Sequence, residues 1–107
     1  IAKGIGMCID ELTKYVLPEK VLLVSPILLG ENIWKDEYDP EFDTVSVKTA
    51  KGLYSEYRKI AESRGTNVIS AAEYAQPSDA DQEHLTPEGH KKLAYAILNT
   101  LVKTRIV

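Results

Sequence analysis

A single cysteine, Cys8, is all the thiol that this chain of 107 residues carries. One thiol cannot close an internal disulfide, which excludes a small disulfide-stapled scaffold. Apolar residues make up 44% of the chain. No run of them approaches the roughly 20 residues that a membrane-spanning helix needs, and no segment reads as a signal peptide. Positive charge is not in excess. Thirteen Lys and Arg stand against 16 Asp and Glu, a net charge of -3 with a pI near 5.4. That balance argues against a nucleic-acid partner. Internal repeats, low-complexity tracts and linkers are also missing, so residues 1–107 read as part of one domain. The chain opens on Ile1, inside an apparent helix, so an absent N-terminal part is expected, and a processed product would look the same. The expected location is cytoplasmic, with secretion left open by that absent part.

What is present alternates between helix and strand. Ile5, Cys8, Ile9, Leu12 and Tyr15 or Val16 recur at helical spacing, predicting an amphipathic helix that ends near Leu17-Pro18. Cys8 falls on its apolar stripe and is expected to be a small buried hydrophobe. Val21 to Ser25 is a continuous apolar run, the pattern of a strand covered on both faces of a parallel sheet. Ser25 stands at that strand's end, but Pro26 follows it and cannot form the elbow that exposes a nucleophilic Ser. Ile27 to Thr44 has no clean period. It holds Gly30, Pro40, five acids between Asp36 and Asp43, and the aromatics Trp34, Tyr38 and Phe42. The acids read as a solvated loop. A second helix is expected from Val45 to Arg64, capped by Thr44 or Ser46 and stopped by Gly65. Asn67 to Ala71 reads as a second short strand. Leu93, Ala94, Ile97 and Leu101 make the inward stripe of a last helix.

The organising stretch is Asp81-Gln82-Glu83-His84-Leu85-Thr86-Pro87-Glu88-Gly89-His90. Thr86 is a good N-cap and Pro87 suits the first helical position, so a rigid element begins directly after His84. A carboxylate three residues from an imidazole can accept a hydrogen bond from one ring nitrogen. That fixes the tautomer and frees the other nitrogen to act as a base. In open α/β sheets ligands bind beyond the carboxyl ends of the strands. Both the segment from Pro26 onward and the Asp81–His84 loop follow strands, so they are expected to face one crevice.

Asp81-x-x-His84 followed by Leu-Thr-Pro-Glu-Gly-His resembles the last block of the SGNH/GDSL hydrolases, in their arylesterase or carbohydrate-esterase branch. Val21 to Asn32 is similar to that branch's strand and substrate-loop segment. The resemblance covers nearly the whole chain, but only the C-terminal portion of such an enzyme. It implies the C-terminal part of a flavodoxin-like three-layer α/β/α fold with a parallel sheet. It also implies ester hydrolysis by a Ser-His-Asp triad, with acetyl or aryl esters as substrates, His84 as base and Asp81 as its orienting acid. The Gly-Asp-Ser nucleophile block, the oxyanion-hole Gly and the Gly-x-Asn-Asp block belong before residue 1, so the chain alone is expected to be inactive. No cofactor is implied. Ile33, Trp34 and Phe42 are expected either to line the acyl or alcohol side of a pocket or to pack the long loop onto the body. Gln82-Glu83 departs from the family's more usual Gly and apolar residue, and Glu83 should raise the pKa of His84.

The cluster Asp79, Asp81, Glu83, His84 and His90 starts like a calcium loop. It lacks the Gly at the sixth position and the Glu at the twelfth. The two His spacings fit no zinc pattern, so no metal site is expected. His90 shares the apolar stripe of the last helix and is expected to be buried and structural. Two other classes remain open: a non-catalytic ligand- or carbohydrate-binding module of the same fold, and a flavodoxin-like signalling or assembly domain. The expected partner is a small ester, with no nucleic acid and no membrane. Self-association through the open side of a half-sheet is also expected.

Overall fold

Two short strands, each a β-rich apolar run closed by Ser, form the centre of the molecule. The computed structural model describes all of residues 1–107. Strand β1 (Leu22–Ser25) and strand β2 (Asn67–Ser70) pair in parallel, with Leu22 opposite Asn67 and Ser25 opposite Ser70. Parallel neighbours need a long crossover. Here it holds the long irregular loop and helix α2 (Thr44–Arg64), which packs on both strands. Helix α1 (Ala2–Leu12) lies against α2, and helix α3 (Pro87–Lys103) follows the second crossover loop. The result is an α/β unit of two strands and three helices.

The element boundaries follow local chemistry. α2 starts at a capping box. Asp43 accepts from the Ser46 N–H at 2.9 Å, and the Ser46 hydroxyl accepts from the Asp43 N–H at 3.2 Å. The cap is therefore Asp43, one residue before the expected Thr44, because only the residue three before Ser46 can exchange both bonds. The helix stops at Gly65, whose φ of 75° is the left-handed turn that Gly adopts without steric cost. α1 ends five residues before its predicted end. Thr13 bonds back to the Ile9 carbonyl at 2.8 Å and closes the helix in a turn. Beyond it Tyr15 and Leu17 stay exposed, since no neighbouring element covers them.

The helical faces turn differently from two expectations. Cys8 is exposed, because α1 meets α2 along Gly6 and Ile9, where Gly6 lies beneath the Arg64 guanidinium. An Arg64–Asp10 pair fastens that contact at 3.1 and 3.2 Å. His90 is exposed, not buried, and so is Ala94. Gly89 lets α3 approach Ala75 and Leu85 closely, which rotates the inward face to Gly89, Leu93, Ala96 and Ile97.

The core is thin. Only 15 residues are buried, and the chain forms a slab of 45 × 29 × 18 Å. Its radius of gyration is 15.1 Å, against roughly 13 Å expected for a compact chain of this length. Ile1, Met7, Leu12 and Leu17 in the first part of the chain, and Tyr95, Leu98 and Val102 on α3, are exposed apolar residues. No helix is long and apolar enough to cross a membrane.

Candidate functional site

Two loops leave the carboxyl ends of the two strands, and they meet. The first runs from Pro26 to Asp43; the second runs from the short helical turn Ala71–Glu73 to Thr86. The Gly30 N–H donates to the Gln82 carbonyl at 2.7 Å. A crevice of about 360 Å³ lies between the loops, lined by Leu28, Gly30, Glu31 and Asn32 from one and by Gln76, Pro77, Asp79 and Gln82 from the other. The two loops converge on one crevice as expected, but Asp81 and His84 themselves do not line it; their loop neighbours Asp79 and Gln82 do.

The second loop is a knot around one carboxylate. Asp81 Oδ1 accepts from the backbone N–H groups of Glu83 and His84, both at 2.9 Å, and from the Ser78 hydroxyl at 2.9 Å. Its other oxygen, Oδ2, lies 2.6 Å from His84 Nδ1. The Ser78 N–H donates to the His84 carbonyl at 2.7 Å, closing the loop on itself. Thr86 then caps α3 by accepting from the Gly89 N–H at 2.9 Å, and Pro87 takes the first helical position. Asp81 and His84 are thus anchored on their C-terminal side to the start of a 17-residue helix.

This geometry sets the charges. The Glu83 and His84 N–H groups, together with the His84 ring, hold the Asp81 carboxyl far below the usual carboxylate range. An ionised Asp81 can only accept, so Nδ1 of His84 carries the proton and Nε2 is the free nitrogen. The same bond, reinforced by the charges of Asp81 and Glu83, raises the His84 pKa above its ordinary value. The His84 side chain is 75% exposed, so Nε2 is open to a reacting group. No serine of the chain hydrogen-bonds to the ring: Ser78 is engaged with Asp81, and Ser25 is sealed from solvent. No three His, Cys, Asp or Glu side chains converge as a metal-binding group.

The three pocket candidates separate. Ile33 is wholly buried and anchors the long loop in the core, so it lines no pocket. Trp34 is half exposed, with the Lys35 ammonium 5.8 Å from its ring centre, and lines neither the crevice nor the neighbouring groove. Phe42 does line an apolar groove of about 550 Å³, with Ile27, Leu29, Val45 and Leu53. Leu29 borders both the groove and the crevice. Sequence reasoning missed Ser78 and Gln82. Ser78 stands three residues before Asp81, the spacing of a side-chain turn, and that spacing was its only signal.

No protein-family model and no curated protein matches this chain. A solved crystal structure is similar to it, with a TM-score of 0.85 and 30% sequence identity over 95% of this chain. The matched part is 48% of that protein, so the chain spans about half of its length.

Proposed function

We propose that this chain is the base-bearing part of a serine acyl hydrolase of SGNH/GDSL type, acting on small acetyl or aryl esters. The observation that carries the reading is the 2.6 Å contact between Asp81 and the Nδ1 of His84, with the opposite nitrogen exposed. Its location beyond a parallel strand's carboxyl end, where α/β sheets place their ligands, supports the same reading. The nucleophilic Ser belongs to sequence outside residues 1–107, within a three-layer α/β/α fold with a wider parallel sheet. The similarity to half of a longer protein and the thin, open core support that placement.

In the reaction, His84 Nε2 accepts the Ser proton as the Ser oxygen attacks the ester carbonyl carbon. The imidazolium then gives that proton to the departing alcohol oxygen, leaving an acyl-enzyme. Water enters by the same route, with His84 as base, and releases the acid. Asp81 stays ionised, holds the ring orientation and stabilises the imidazolium at each step. Phe42 and its groove take the apolar part of the ester. The exposed apolar residues of α1 and α3 favour self-association of the isolated chain.

Turnover of p-nitrophenyl acetate tests the reading. The 107-residue chain is expected to be inactive, and a protein extended at its N-terminus to include the nucleophile block is expected to be active. In the extended protein His84→Ala should lower kcat/KM by roughly 10²–10⁴. Turnover by the short chain that is abolished by His84→Ala would overturn the placement of the nucleophile. Turnover by the extended protein that is indifferent to His84→Ala would remove the base.

A further inference from the structure

We infer that Gln82 is a positioning residue, one that couples the Asp81–His84 pair to the loop that follows β1. It sits between the two members of the pair and is 7% exposed. Its φ of 61° is left-handed, a region that residues with a side chain seldom occupy unless their surroundings hold them there. The surroundings do hold it. The Gln82 N–H donates to the Ser78 carbonyl at 2.8 Å, and its own carbonyl accepts from the Gly30 N–H at 2.7 Å. Its side-chain Oε1 accepts from the Asn32 N–H at 3.3 Å, and Nε2 donates to the Asp79 carbonyl at 3.3 Å. Both ends of the buried amide are therefore bonded, one to each loop.

Gly30 is the reciprocal half of the contact. A Cβ on Gly30 would overlap Gln82 Oε1, so the first loop has glycine where the amide passes. The left-handed turn at Gln82 also carries the chain round, so that the Glu83 and His84 N–H groups both reach Asp81 Oδ1. Gly30 and Asn32 line the crevice. A ligand that moves them moves Gln82, and Gln82 moves the carboxylate that orients His84. The consequence for catalysis rests on the hydrolase reading; the coupling itself does not.

The test reads His84 by NMR in the 107-residue chain, which needs no nucleophile. Two signals report on it: the pKa of the ring and the downfield resonance of the Nδ1 proton. Gln82→Asn keeps a residue that tolerates the left-handed turn but is one methylene too short to reach Asn32. It should lower the His84 pKa toward its ordinary value and broaden or abolish the Nδ1 proton signal. Gly30→Ala, which expels the amide from the other side, should do the same, and it reads the coupling if Gln82→Asn fails to fold. In a Gln82→Gly background, Gly30→Ala should add nothing further, because the group it displaces is gone. Wild-type titration and an intact Nδ1 signal in folded Gln82→Asn and Gln82→Gly chains would overturn the coupling. So would fully additive effects in the double variant. Failure of ester turnover would instead remove the hydrolase reading and leave the NMR result standing.

Discussion

The two loops at the carboxyl end of the sheet are held by opposite physics. The loop after β1 is long, and its fixed point is an apolar side chain: Ile33 is sealed in the core while Trp34 beside it stands half exposed. The loop before α3 is shorter, and its buried apolar side chain is only the small Ala75. Its fixed point is the Asp81 carboxylate, which gathers three hydrogen bonds on one oxygen and the His84 ring on the other. Burial fixes where a loop lies but leaves the side chains around the anchor free to turn. A charge-assisted network fixes the direction of each group in it. Chemistry that moves a proton needs direction, and shaping a pocket needs only position. The proposed base, His84, stands on the loop whose geometry is set by hydrogen bonds.

The largest expected effect breaks the polar loop. Asp81→Asn turns an acceptor of four bonds into a group with a competing amide, and it leaves the His84 ring free to choose either tautomer. In the extended protein kcat/KM should fall by roughly 10²–10⁴, with the protein still folded by circular dichroism. The same substitution should move the pH profile. His84 acts as a base only when neutral, and Asp81 raises its pKa above the ordinary 6.5. The acid limb of the wild-type kcat/KM profile should therefore lie above 6.5. It should shift to lower pH in Asp81→Asn and, by a smaller amount, in Glu83→Gln.

Breaking the apolar anchor should act first on stability. Ile33→Ala removes a fully buried side chain and should destabilise by about 2–5 kcal/mol in urea unfolding. The His84 Nδ1 proton signal should survive wherever the Gly30 and Asn32 contacts with Gln82 remain intact. Thr86→Ala removes the cap between the dyad loop and α3 and should cost about 1 kcal/mol. Trp34→Ala should be the smallest change, within about 0.5 kcal/mol of wild type and without effect on ester preference. Phe42→Ala, on the groove, should raise KM for longer acyl esters by comparison.

How much of this was legible in the sequence depends on distance along the chain. The Asp81–His84 bond, the Thr86 cap and the Pro87 start each lie within three residues, so spacing and side-chain chemistry pointed to them. The strands and the stop at Gly65 were likewise local. The contact of Gln82 with Asn32 spans 50 residues, and no spacing announces it. Only the departure from the resembled motif at Gln82 marked the position. The left-handed φ there explains why Gly suits that place and why a bonded Gln can occupy it. An apolar period puts Cys8 and His90 on inward stripes, but it does not say which part of a helix a neighbour will cover. Gly6 and Gly89 decided that, by permitting close approach where a larger residue would not. Ile33, Trp34 and Phe42 share one loop, and nothing local in the sequence tells them apart. Their surroundings separate them: one in the core, one in solvent and one on a groove.

The most direct test of the proposed chemistry is covalent labelling by a fluorophosphonate, read by intact mass on the extended protein. Wild type and His84→Ala would be compared side by side. Stoichiometric labelling of the wild type, with the rate lost in His84→Ala, is the predicted result. It would establish an activated serine whose base is His84. Absence of labelling in the wild type, or equal labelling of both proteins, would contradict the account. The Asp81–His84 pair would then be a structural knot on a binding module.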